Sequence, residues 1–160
     1  MNRRHFLMGT ACVLGAAKAL NLPAVAASSE SNFEVTRTEQ EWRDMLTKFE
    51  YQVMREEKTE RPGTSELLGE KRVGTYHCKG CDLPLYPSET KYESGTGWPS
   101  FYESLPNSVG TKEDNGFFMT RTEVHCRRCG SHLGHIFEDG PKPTGLRHCL
   151  NGVSLTFNPA

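Results

Sequence analysis

HCRRCGSHLGHIFEDGPKPTGLRHCLN, His125–Asn151, holds three of the six cysteines of this 160-residue chain. Its first two, Cys126 and Cys129, form a C-x-x-C pair, and a second pair stands upstream in CKGC, Cys78–Cys81. Each pair can curl two thiolates onto one ion at about 2.3 Å, and two such turns complete a tetrahedron. Each is followed by a turn-forming residue, Asp82 or Gly130. The spacing points to one structural Zn2+ held by Cys78, Cys81, Cys126 and Cys129. Two other readings of the pairs exist. A thioredoxin-like dithiol would want a single C-x-x-C opening a helix, and neither pair opens an obvious one. Disulfides would suit an oxidising compartment.

Around these pairs the texture is that of strands. From Gly74 onward, short apolar or alternating pieces such as GTYHC, GFFMTRTEVHC and GVSLTF are separated by Gly, Pro, Asn and Asp. That pattern predicts an antiparallel β domain with long loops. Upstream, Thr38 to Glu41 reads T-x-x-E, a capping box that starts a helix. Trp42, Met45, Leu46, Phe49 and Val53 then follow helical spacing, which predicts one inward face. A break near Phe49 would give two short helices, and RPG, Arg61–Gly63, ends the helical part.

The N-terminus bears on compartment. Arg3 and Arg4 precede an apolar run from Phe6 to Ala17, and Ala24, Val25 and Ala26 offer an A-x-A cleavage site. The run is short for a bilayer span, so a removed signal peptide is expected rather than an anchor, with no stable membrane association. NRRHFLM resembles the twin-arginine export signal, which carries folded proteins across the bacterial inner membrane to the periplasm; an ordinary export signal with two chance arginines is the other reading. Residues 1–26 are read as this signal, 27–37 as a linker and 38–160 as the functional domain. Cys12 has Gly9 three residues before it, a poor lipoprotein context, and leaves with the signal. Cleavage removes Arg3, Arg4 and Lys18 and no acidic residue, taking the net charge from −1 to −4. No basic field argues for nucleic acid. Folding before export would let the four thiolates take zinc in the reducing cytoplasm.

With Cys12 removed and four cysteines on metal, Cys149 is the one thiol left over. A lone thiol is commonly an inert buried residue. In an extended strand, however, Arg147, Cys149 and Asn151 share a face. A guanidinium favours the thiolate, and an amide can bind a polar substrate group. HLGHIFEDG adds His132, His135 and Asp139. Each imidazole could exchange protons near neutral pH or serve only as a structural hydrogen-bonder.

SGTGWPSFY (Ser94–Tyr102), the stretch quoted first and the two C-x-x-C pairs together resemble the B-type methionine sulfoxide reductase family, over roughly Thr38 to Phe157. The resemblance implies a mainly β fold of two antiparallel sheets with short N-terminal helices and a structural Zn2+. It implies reduction of the R epimer of methionine sulfoxide, with Cys149 as nucleophile. His132, His135 and Asn151 would position the sulfoxide and help protonate its oxygen, Asp139 and Arg147 would support them, and Trp98 and Phe137 would bind the substrate. Many members carry a resolving cysteine where this chain has Thr96. A one-cysteine enzyme follows, a monomer regenerated by an external, thioredoxin-like thiol. Two other classes compete: a zinc-knuckle binding module without catalysis, and a general thiol–disulfide oxidoreductase using a C-x-x-C.

Overall fold

The computed structural model describes residues 33–116 and 120–160. The expected signal peptide, with Cys12 and the A-x-A site, lies outside the described residues. Among these residues two short α-helices, α1 (Glu39–Met45) and α2 (Lys48–Glu56), precede nine strands: β1 (Gly74–Cys78), β2 (Pro84–Pro87), β3 (Lys91–Tyr92), β4 (Ser100–Phe101), β5 (Val109–Asp114), β6 (Arg121–Cys126), β7 (His132–Phe137), β8 (Arg147–Leu150) and β9 (Leu155–Pro159). All pairings are antiparallel. They form a three-stranded sheet, β2-β1-β9, and a six-stranded sheet, β3-β4-β8-β7-β6-β5.

The capping box expected at Thr38 and Glu41 is present, with both reciprocal hydrogen bonds made. The break between helices has its own cause: Thr47 and Glu50 form a second capping box, which starts a new helix where Leu46 has turned extended. Restarting the helix there rotates the inward stripe. Trp42, Leu46 and Val53 are buried, but Met45 and Phe49 are each 44% exposed, contrary to the single face expected from their spacing. The second helix ends at Glu56, capped by Glu57 in the left-handed conformation, before RPG is reached. Residues 33–37, in the stretch read as linker, lie against the second cysteine pair: Val35 N–H donates to Arg128 O, and Phe33 packs edge-on to His125.

The core is apolar and aromatic. Tyr76 of the smaller sheet meets Phe101 of the larger at 4.9 Å between ring centres, and Tyr86 meets the same ring at 4.6 Å. Leu85, Val124, Leu133 and Leu150 are fully buried around them. Tyr86 also fastens the sheets by a polar contact, its hydroxyl hydrogen-bonded to His148 Nδ1 at 2.9 Å. That bond grips β8, the strand carrying Cys149.

Candidate active site

Cross-strand register places the first two groups. In β8, Cys149 lies opposite Ser100 of β4 on one side and His135 of β7 on the other. Residues directly opposite project to one face, so His135 and Cys149 share a surface. Gly134 beside them is required: a Cβ there would collide with the Cys149 carbonyl. The same register sets Phe137 opposite Arg147, whose guanidinium stacks 4.3 Å from the ring centre.

A cleft of about 140 Å³ opens at this point, lined by Trp98, His135, Phe137, Cys149, Asn151 and Arg121 among others. Apolar faces and a few polar groups converge there on a half-buried thiol, as in a small-ligand site. Arg147 and Asp139 are not among its lining residues. They form a bidentate pair at 2.8 and 2.9 Å that holds Phe137 and the start of β8.

His132 does not line the cleft either. Three residues from His135, it would face the opposite side of a regular strand. The pairing, however, jumps from Val124↔Gly134 to His125↔His132, giving β7 one extra residue. The bulge brings the His132 ring to 5.4 Å from that of His135, edge to face. His132 Nδ1 bonds the buried Glu123 carboxylate at 2.7 Å, and Lys112 pairs with the other Glu123 oxygen at 2.9 Å. Burial pushes His132 down to about 4, so it is neutral at pH 7. His135 Nε2 meets Asp114 Oδ2 at 2.8 Å, and Arg121 pairs with that carboxylate at 2.6 Å. Burial pushes His135 down as well, more strongly than Asp114 raises it.

For Cys149 itself the expected pull of the guanidinium is present but is not the largest influence. Arg147 does favour the thiolate, and so does the Thr96 hydroxyl, 3.9 Å from Sγ, but burial outweighs both and raises the thiol. The resting side chain is a protonated thiol. Asn151, just beyond β8, donates from Nδ2 to Leu133 O at 3.1 Å and accepts from Glu60 N–H at 3.0 Å.

Glu60, Glu123 and Asp114 were not singled out from the sequence. Only contact reveals them, because each partners a site residue 9 to 91 positions away. Once the chain is folded, two of them stand out: Glu60 and Glu123 are acids 2% exposed, and a buried acid must be paired.

The metal cluster forms as expected. Cys78 ends β1 and Cys126 ends β6, and each pair turns through a left-handed residue, Asp82 or Gly130. Cys78 and Cys129 sulfurs lie 3.6 Å apart, Cys81 and Cys126 sulfurs 3.5 Å, and all four lie within 4.8 Å of one another. Those separations exceed the ~2.05 Å of a disulfide. They match the roughly 3.8 Å edge of a tetrahedron with ~2.3 Å metal–sulfur bonds. Three guanidiniums donate to knuckle carbonyls, Arg37 to Gly80, Arg55 to Cys129 and Arg128 to Cys81, and offset the thiolate charge. The donor set fits one structural Zn2+ and disfavours a reactive C-x-x-C.

Fold and site together define a class: a zinc-knuckle β protein presenting one thiol in a mixed polar and apolar cleft. A family model described as the SelR domain matches residues 46–159, and the chain belongs to that family. It is 53% identical over 124 residues to "Peptide methionine sulfoxide reductase MsrB" of Methanosarcina barkeri, covering 77% of this chain and 87% of that one. A protein of the same name from Pseudomonas putida is 53% identical over 127 residues, 79% of this chain and 96% of that one. A marginal structural likeness, TM-score 0.45 at 15% identity over 56% of this chain and 98% of the other, joins it to the Mis18 "Yippee-like" domain.

Proposed function

We propose that this protein reduces the R epimer of methionine sulfoxide, free or in peptides, to methionine, as a repair enzyme for oxidised proteins. The observation that carries the reading is the cleft: a free thiol facing an indole, an imidazole and an amide, in a SelR-domain chain whose relatives are named methionine sulfoxide reductases. A non-catalytic zinc-knuckle module would leave that cleft without a purpose.

The chemistry balances without an outside proton. Cys149 sulfur attacks the sulfoxide sulfur, the S–O bond breaks, and the oxygen ends on Cys149 as a sulfenic acid while methionine leaves. The thiol sulfur is oxidised by two electrons and the substrate sulfur reduced by two. The sulfoxide oxygen is a poor leaving group unless protonated, and the proton it needs is the one the thiol gives up. His135 is the carrier: with Nε2 on Asp114, its Nδ1 takes the thiol proton and passes it to the oxygen. Asn151 donates to that oxygen, while Trp98 and Phe137 give the methyl group an apolar wall. His132 buttresses His135, and Asp139 with Arg147 holds β8. A first external thiol then forms a mixed disulfide with Cys149 and releases water; a second restores the free thiol. Among the described residues, Cys149 is the one cysteine outside the metal cluster, and Thr96 stands where an internal partner would be. A thioredoxin-like protein is the fitting reductant, and a monomer suffices. Cys149→Ser abolishes reduction while zinc content, read by metal analysis, stays at one per chain; retained turnover would reject the assignment.

Export is part of the same proposal. Arg3 and Arg4 ahead of Phe6 and Leu7, with the A-x-A site at Ala24–Ala26, support a twin-arginine signal and a periplasmic mature chain from about Ala27. Replacing both arginines by lysine should hold the protein in the cytoplasm; unchanged export of the double variant would refute the route.

A further inference from the structure

Glu60 lies in the loop between α2 and β1 and is 2% exposed. Its carboxylate accepts from Gly152 N–H at 2.6 Å and Val153 N–H at 3.2 Å, the amides immediately past Asn151. Its own N–H donates to Asn151 Oδ1 at 3.0 Å, and its carbonyl accepts from Trp98 Nε1–H at 3.1 Å. One residue therefore grips two side chains of the cleft that come from distant parts of the chain. A second tether joins the same loops, Gly63 N–H donating to Gly97 O at 2.7 Å.

These bonds decide which groups the cleft can offer. Asn151 cannot flip its amide: Oδ1 is held by a donor, and one Nδ2 hydrogen is held by Leu133 O. The second Nδ2 hydrogen is left for a ligand. Trp98 has a single donor, and Glu60 O takes it, so the indole presents only carbon to the cleft. Oxygen is thus favoured on the Asn151 side and methyl on the Trp98 side. Exchanging the two, as the opposite epimer must when its sulfur faces Cys149, sets oxygen against an indole with no hydrogen to give and leaves an amide donor unpaired.

We propose that Glu60 is the positioning residue that fixes this polarity and so sets the epimer preference. The inference rests on the proposed reduction of methionine sulfoxide. The carboxylate is the anchor, since the backbone groups of residue 60 persist in any variant and only their placement is lost.

Glu60→Ala and Glu60→Gln test it in the full mature protein, with R- and S-sulfoxide substrates assayed separately. Glu60→Ala should lower kcat/KM for the R epimer about a hundredfold. It should also narrow the R-to-S ratio and speed hydrogen exchange at the Trp98 indole N–H, read by NMR. Glu60→Gln, which keeps an acceptor for Gly152, should fall between. Alkylation of Cys149 and zinc content should match the parent in both. An unchanged epimer ratio with unchanged indole exchange in Glu60→Ala overturns the proposal. If Glu60→Ala does not fold, the same two readings on Glu60→Gln decide. A parent protein inactive on both epimers would instead overturn the functional reading, a result distinct from an active parent whose variants keep its epimer ratio.

Discussion

Burial raises the Cys149 thiol, while the Thr96 hydroxyl and the Arg147 guanidinium pull it down. Alkylation of Cys149 should therefore follow a titration displaced to the alkaline side of an ordinary thiol. Thr96→Val keeps the shape and removes the hydroxyl, so it should move the curve further alkaline; an unmoved curve would show that the hydroxyl does not act on sulfur. Thr96→Cys makes a different point. The hydroxyl oxygen is already 3.9 Å from Sγ, so a sulfur there should close a disulfide with Cys149 after one turnover, seen by mass spectrometry. Thr96 was marked only by the family resemblance, but the thiol was legible in the sequence, because subtraction of the metal cysteines needs only their spacing. The sign of the thiol shift was not. Arg147 is visible in the motif, but the burial that outweighs it is a property of the packed cleft.

Helices and strands show the same division. Capping boxes are local, so Thr38 and Glu41 announced α1 correctly. The second box at Thr47 and Glu50 is equally local, but it lies inside a run whose spacing reads as one face, and it carries the rotation that exposes Phe49. Thr47→Ala should cost about 1 kcal/mol of stability. It should leave kcat/KM unchanged, because Thr47 caps a helix remote in chemistry from the cleft; denaturant unfolding and steady-state assay measure the two. The bulge in β7 is the element that sequence could least disclose. It is defined by pairing with β6, yet it decides that His132 backs His135 instead of facing away.

At the scale of the whole molecule, buried imidazoles tie stability to acidity. Burial pushes His132 and His148 from the ordinary 6.5 to about 4. Between those values the unfolded chain binds protons that the folded chain refuses. Stability on their account is full above 6.5, falls as pH drops through the window, and is wholly lost below about 4. His148→Gln keeps a partner for Tyr86 and removes one such proton. Over that window its stability should fall less steeply than the parent's, by up to about 1.4 kcal/mol per pH unit; parallel curves in urea titrations would contradict this. Fold class and zinc cluster were readable because both rest on short, ordered motifs. The strand order was not, since it depends on pairings between distant segments. One of these, the pairing of β1 with β9, joins Gly74–Cys78 to Leu155–Pro159. The smaller sheet thus takes its third strand from beyond the whole of the larger one in the chain. A two-stranded ribbon is at best marginally stable alone, so the pairing of β1 with β2 holds only once Leu155–Pro159 has docked beside it.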